Sequence, residues 1–302
     1  MHSFSSMDLL AKEVVQGFIT GLHKSPFHGF SVEFAEHRQY NKGESTRHLD
    51  WKLYARTDRL YVKQYEEETN LRANFILDTS SSMFYPQNSE SLSKYEYAVL
   101  ASAVLIEILF RQRDAFGLSL FSQDIMFESA IKSTPAHKEF LLKKLEEALV
   151  TENREGKETD LVEVLHRKAE SMPSRSLVLL FSDMIVKEDK KQDLWEAFRH
   201  LTHQKHDVIV FHLMDLQTEQ LLDFDSRQTK FVDLESGDSL VVNPETLRAN
   251  YKAVVNKQIK ELRNELLQLK VDLCEVDVQA PFDALMRAYL SRRKKILQSK
   301  RF

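Results

Sequence analysis

From residue 70 onward the apolar positions of this chain alternate between two patterns. Short, nearly continuous apolar runs are separated by longer stretches in which apolar residues return every three or four positions. The first pattern marks strands buried on both faces of a parallel sheet, the second amphipathic helices. Strands are predicted at Leu71–Leu77, ending in Asp78, and at Phe116–Ser122 and Ile125–Ala130 with Gln123 and Asp124 at the turn. Further strands are predicted at Ser176–Phe181, Val208–Met214 and Val271–Val278. Helices are predicted over Lys94–Arg113, over a segment capped by Thr134 with Pro135 at its first position and Leu141, Leu145 and Leu149 on one stripe, and over Leu161–Met172, stopped by Pro173. Three more follow at about Lys190–Gln204, Pro244–Lys270 and Pro281–Leu297. Phe231–Val242 reads as a hairpin turning at Ser236, Gly237 and Asp238. Alternating strands and helices predict an α/β fold with a mostly parallel sheet flanked by helices.

The chain before residue 70 is different. Met7–Leu22 has the spacing of an amphipathic helix, broken by Asp8, Lys12, Glu13 and Gln16, so it is not the apolar core of a signal peptide. Leu9–Lys63 as a whole is dense in charge and aromatics and lacks clean alternation. We therefore expect an N-terminal segment, residues 1–68, packed on a main domain, residues 69–302, with a β-hairpin insertion near 229–243. The most apolar stretch, Ala98–Phe110, contains Glu107 and is shorter than the roughly 20 residues a membrane span needs. No integral membrane segment and a cytoplasmic location are expected.

Composition adds little against this. Of the 302 residues 42% are hydrophobic and 29% charged, which suits a globular protein. Only 7 Gly and 6 Pro leave no room for a low-complexity linker. The net charge of −4 argues against a nucleic-acid partner. Cys274, the single cysteine, is expected as a core residue of the strand Val271–Val278, not as a catalytic thiol.

In open parallel sheets ligands bind at the carboxyl ends of the strands. Three oxygen-rich sites fall there. Asp78-Thr79-Ser80-Ser81-Ser82 follows the first strand, Thr159 precedes a helix, and Asp183 follows the strand Ser176–Phe181. Carboxylates and hydroxyls are hard donors suited to Mg²⁺, with Mn²⁺ an alternative. Alternation within the loop points Ser80 and Ser82 one way and Thr79 and Ser81 another. Neutral hydroxyls leave a bound ion electrophilic, so an acidic side chain of a partner could replace a water. Each piece also has a plain reading: Asp78 and Asp183 as strand-end turn residues, Thr159 as a helix cap. The expected ligand set is Asp78, Ser80, Ser82, Thr159 and Asp183.

This set resembles the metal-ion-dependent adhesion site of von Willebrand factor A domains. Upstream, Gly29-Phe30-Ser31-Val32-Glu33-Phe34, Arg38-Gln39-Tyr40, Gly43-Glu44, Arg47-His48-Leu49-Asp50-Trp51-Lys52, Ala55-Arg56 and Val62-Lys63-Gln64-Tyr65-Glu66 resemble the signature of a bacterial family, domain of unknown function fifty-eight. The resemblance implies a von Willebrand A-like fold. It also implies an adaptor that works with a MoxR-type AAA+ ATPase in chaperone-like maturation or remodelling of other proteins. In it Ser80, Ser82 and Thr159 would offer hydroxyls to the metal, while Asp78 and Asp183 hold it directly or through water. Many relatives carry an N-terminal membrane anchor, which is not carried over. The charged upstream residues, Arg38, Arg47, Lys52, Arg56 and Lys63 among Glu33, Glu36, Glu44 and Asp50, read better as a self-satisfied network than as a docking surface.

His200, His203 and His206 are expected on a solvated face, and the basic residues Arg292–Lys295 as a solvated helix end. No phosphate-binding glycine loop and no nucleophile elbow occur. The expected function is a metal-dependent interaction module and not an enzyme. The alternative is a metal-dependent phosphate-ester hydrolase, for which no nucleophile or general base stands out.

Overall fold

The structure is a computed structural model that describes residues 7–22, 37–39, 51–57, 61–63, 71–87, 91–150, 160–224, 228–234, 237–282, 285–286 and 289–290. In chain order the elements are α1 (Met7–Leu22), β1 (His37–Gln39), α2 (Trp51–Thr57), β2 (Tyr61–Lys63), β3 (Arg72–Asp78), α3 (Lys94–Arg111), β4 (Ala115–Phe121), β5 (Ile125–Glu128), α4 (Pro135–Val150) and α5 (Leu161–Ser171). They continue as β6 (Leu177–Ser182), α6 (Lys191–His203), β7 (Asp207–Met214), β8 (Thr229–Val232), β9 (Ser239–Val242), α7 (Pro244–Gln268) and β10 (Asp272–Asp277). Of the helix expected at Pro281–Leu297, only Leu285–Met286 and Tyr289–Leu290 are described as helical, and its end lies outside the described residues.

The chain forms two compact units. One runs through Phe18 and resumes at Leu71; the other is Ile19–Asn70. The boundary thus falls differently from the expected 68/69 division, because the greater part of α1, Met7–Phe18, belongs to the larger unit. Met7, Ala11 and Val15 recur at intervals of four on one face of α1 and are buried in its core. The smaller unit, in which no regular alternation was legible, contains the antiparallel pair β1–β2 and the helix α2.

The larger unit is built on a six-stranded sheet of order β10-β7-β6-β3-β4-β5. All neighbours are parallel except β4 and the edge strand β5. The alternation of side chains along each strand divides the core in two. Phe75, Leu77, Leu179, Phe181 and Phe211 face α1, α3 and α4. Ile76, Val178, Leu180, Val208 and Val210 face α5, α6 and α7. Nearly every position of β3, β6 and β7 is buried, which is why their sequences read as continuous apolar runs.

Local signals explain the helix ends. Ser93 and Glu96 form a reciprocal capping box on α3, with the Glu96 N–H donating to Ser93 Oγ at 3.2 Å and Ser93 N–H to Glu96 Oε2 at 2.8 Å. Asn243 caps α7 ahead of Pro244. The hairpin β8–β9 turns at Gly237, whose φ of 77° suits a residue without Cβ. Lys138 ties three helices together: its ammonium lies 2.8 Å from Asp8 Oδ1 on α1 and 2.9 Å from Glu107 Oε2 on α3.

Strand order reverses between β3 and β6. β4 and β5 extend the sheet on one side of β3, and β6, β7 and β10 on the other. A crevice opens at such a switch point outside the carboxyl ends of the two strands. Asp78 closes β3, and Asp183 directly follows β6.

Candidate metal centre

The loop after β3 is fixed by its own polar groups. Thr79 turns away from the crevice: its N–H and its hydroxyl both donate to the Phe121 carbonyl at the end of β4, at 2.7 and 2.8 Å. Asp78 Oδ1 accepts the Ser80 N–H at 2.9 Å, and Oδ2 accepts the Ser182 hydroxyl at 2.8 Å. The carboxylate thus clamps the two central strands at their carboxyl ends. Ser80 caps a 3-10 turn, Ser81–Phe84, and this turn, not alternation along an extended loop, brings the Ser80 and Ser82 hydroxyl oxygens to 3.2 Å. The Ser82 hydroxyl also bonds to Asp183.

Four of the five expected ligands therefore converge: Asp78, Ser80, Ser82 and Asp183. Thr159 lies outside the described residues. Its neighbour Asp160 caps α5, accepting the Glu163 N–H, and the Asp160 N–H donates to the Ser122 carbonyl at 3.1 Å, tying the start of α5 to the end of β4. The capping role weighed for Thr159 thus belongs to Asp160, whose carboxylate also meets Lys190 at 2.9 Å.

The electrostatics of the two acids differ. Burial pushes the Asp78 pKa from 3.8 up to about 6, and the negative charge of Asp183 adds to the rise. Burial acts on Asp183 in the same direction, but the Lys94 ammonium beside it outweighs that and holds its carboxyl below the usual range. Lys94 is the residue that sequence reasoning missed. It stands at the first position of α3, 1% exposed, with its Nζ 2.8 Å from Asp183 Oδ2 and 2.7 Å from Glu219 Oε1. A lysine in the first helical turn reads as a surface residue. Nothing local reveals that its partners come from 89 and 125 residues away.

Two further groups frame Asp183. His212 Nε2 lies 3.0 Å from the Asp183 carbonyl and donates to it, leaving Nδ1 buried without a partner among the described residues. Burial holds this imidazole below the usual histidine range, so it is neutral. Met184 takes a left-handed φ of 55°, a conformation a non-glycine residue adopts only where its surroundings enforce it, and its N–H donates to Ser182 Oγ at 3.0 Å.

The donor set fits a small hard cation. Adjacent vertices of an octahedron with bonds of about 2.1 Å lie about 3.0 Å apart, close to the Ser80–Ser82 oxygen separation. Two hydroxyls could hold one edge of the ion, with the carboxylates beyond. Among the described residues no three His, Cys, Asp or Glu side chains gather as a metal cage. The donors here are two carboxylates and hydroxyls instead.

The family model described as "Protein of unknown function DUF58" matches residues 36–261. The chain belongs to this family. Relatives of the DUF58 chain include an uncharacterized protein of Mycobacterium bovis and one of Mycobacterium tuberculosis strain H37Rv. Each is 22% identical over 276 residues, covering 88% of this chain and 83% of the relative. Similar solved structures include the conserved hypothetical protein BatB from Bacteroides thetaiotaomicron, at a TM-score of 0.48 and 16% identity over 74% of this chain and 99% of that one. Another is an aerotolerance-related membrane protein from Bacteroides fragilis, at 0.43 and 14% over 74% and 97%. No helix among the described residues of the DUF58 chain is long and apolar enough to cross a membrane.

The histidines are corrected in part. His203 is exposed as expected, but His206 is buried beyond the end of α6 and accepts the Ser176 N–H at 3.2 Å. His200 is half-buried, its Nδ1 3.2 Å from that of His166. Cys274 is half-buried on β10 and packs against the core.

Proposed function

We propose that the chain is a cytoplasmic, von Willebrand A-like interaction module that uses a divalent cation, Mg²⁺ or Mn²⁺, to dock a partner protein. The observation that carries this reading is the pair of hydroxyls, Ser80 and Ser82, 3.2 Å apart at the crevice between β3 and β6 with the buried acids Asp78 and Asp183 beside them. In this reading Ser80 and Ser82 bind the ion directly, and Asp183 holds it directly or through water. Asp78, with both oxygens already engaged, orients the serine loop and adds negative charge. Thr159 would supply a third hydroxyl. The ion supplies a Lewis-acid vertex that an acidic side chain of the partner can occupy. A MoxR-type AAA+ ATPase is the proposed partner class, by family resemblance alone, with chaperone-like remodelling as the shared task.

Calorimetric titration with MnCl₂ and MgCl₂, followed by binding to a purified MoxR-type ATPase in Mg²⁺ and in EDTA, tests this. Saturable metal binding that Ser80→Ala weakens, and ATPase binding that EDTA abolishes, are expected. Equal ATPase affinity in the two buffers would rule out a metal-bridged interface. Mg²⁺-dependent phosphatase activity lost in Asp183→Ala would move the reading to a hydrolase.

A further inference from the structure

Resting on the metal reading above, we infer that the Lys94 ammonium is the resident counter-cation of this site: an entering divalent ion takes Asp183 from it, and Glu219 retains the displaced lysine.

Lys94 stands where a cation is disfavoured. It opens α3, whose N-terminus carries partial positive charge, and it is buried. Two carboxylates on other elements hold it there, Asp183 from the end of β6 and Glu219 from the turn after β7. Its backbone cannot follow a moving side chain, because the Lys94 N–H donates to the Tyr85 carbonyl at 2.9 Å and the Ser93–Glu96 capping box fixes the turn. Any displacement must come from the four-carbon stem, which is flexible.

Glu219 is built to receive that displacement. Its Oε2 accepts the Asp215 N–H at 2.7 Å, so the carboxylate is anchored while Oε1 faces Lys94. It sits on a π-helical turn, Leu216–Gln220, a geometry often found at functional sites. Its side chain is 28% exposed, against 5% for Asp183. Glu219 and Asp183 line the same cleft of about 460 Å³ between α6 and α7, which also reaches His212, Trp195 and Tyr251. Water in that cleft can solvate a lysine held by Glu219 alone.

A metal ion and an ammonium cannot share Asp183 at low cost. Ser82 bonds to Asp183, so a metal on the Ser80–Ser82 edge and the ammonium on Oδ2 lie on one small carboxylate. Like charges in so buried a place repel strongly. The acids Asp78, Asp183 and Glu219 outnumber the Lys94 ammonium at this site, so a divalent ion can enter without loss of the lysine.

The test is a double-mutant cycle on Mn²⁺ affinity, read by calorimetry on the full chain. Lys94→Gln keeps an amide donor on a side chain one bond shorter and removes the competing charge. We expect it to bind Mn²⁺ on the order of tenfold or more tightly than the wild type. Glu219→Gln deprives the displaced lysine of its partner and should weaken binding by about tenfold, yet have little effect in the Lys94→Gln background. Unchanged or weaker binding by Lys94→Gln, with clear binding by the wild type, overturns the displacement and leaves the metal reading standing. So does an equal effect of Glu219→Gln in both backgrounds, which a simple field would produce. Binding by Lys94→Gln but not by the wild type also overturns the displacement, because the native lysine then keeps Asp183, and it removes the metal from the native function. No binding by any variant sinks both. If Lys94→Gln folds only with metal, recovery of its helical circular dichroism on Mn²⁺ titration supports displacement, and failure to recover at any Mn²⁺ concentration counts against it.

Discussion

Replacing Asp78 with asparagine probes the electrostatics of the crevice with a change of one atom. Burial, reinforced by Asp183, raises the carboxyl pKa from 3.8 to about 6. Between those values the native chain keeps a proton that the unfolded chain has released. The stabilising contribution is therefore complete below the unfolded value and is lost as pH rises through the folded one. At about 1.36 kcal/mol per pKa unit, the rise to about 6 is worth about 3 kcal/mol. Asparagine keeps the shape, can accept the Ser80 N–H through its oxygen and can donate to the Ser182 hydroxyl through its amide, and it does not titrate. In EDTA, Asp78→Asn should be more stable than the wild type at pH 7.5 by up to about 3 kcal/mol, and the gap should close toward pH 4. Urea unfolding across that range, followed by circular dichroism and the fluorescence of the two tryptophans, measures it. Mg²⁺ should narrow the gap at pH 7.5, because the wild-type site, with one more negative charge beside the ion, binds it more tightly than the variant does. A gap independent of pH, or a wild type more stable than the variant at pH 7.5 in EDTA, refutes the account of the buried acid.

Two other consequences concern the scaffold. Lys138→Met leaves Glu107, 4% exposed on its side chain, without its lysine partner, and cuts the link to Asp8 on α1. Because Arg111 Nε still pairs with Glu107 Oε1 at 2.7 Å, it should cost about 1–3 kcal/mol in a thermal or chemical melt and speed tryptic cleavage at Lys12; a melt superimposable on the wild type would show that α1 is held by its apolar face alone. Burial pushes the Cys274 thiol up to about 11, so at pH 8 about one molecule in a thousand carries a thiolate. Ellman's reagent should react slowly with the native chain and fast after denaturation; equal rates would place the thiol in the open.

Much of the fold was legible because it rests on local periodicity. The runs at Leu177–Ser182 and Asp207–Met214 are continuous since both faces of a central parallel strand are covered, and α4 begins where Thr134 and Pro135 announce it. The oxygen-bearing residues of the serine loop were legible, but not the reason Ser80 and Ser82 meet: Ser80 caps a single 3-10 turn, Ser81–Phe84, that carries Ser82 back beside it. What lacks a local signature was not read. The allegiance of α1 to the larger unit depends on Met7, Ala11 and Val15 meeting a core assembled elsewhere. The buried state of His206 depends on the chain turning back beside Ser176.

The amino-acid order by itself determined the strand–helix alternation, the family signature and the oxygen-bearing residues that follow β3 and β6. Only the tertiary structure decided that Lys94, Glu219 and His212 join them. Side chains of a few ångströms meet from positions 89 or 125 apart in the chain only when a sheet brings its strand ends to one edge. Charge interactions depend on that final distance and burial, which no window of sequence contains.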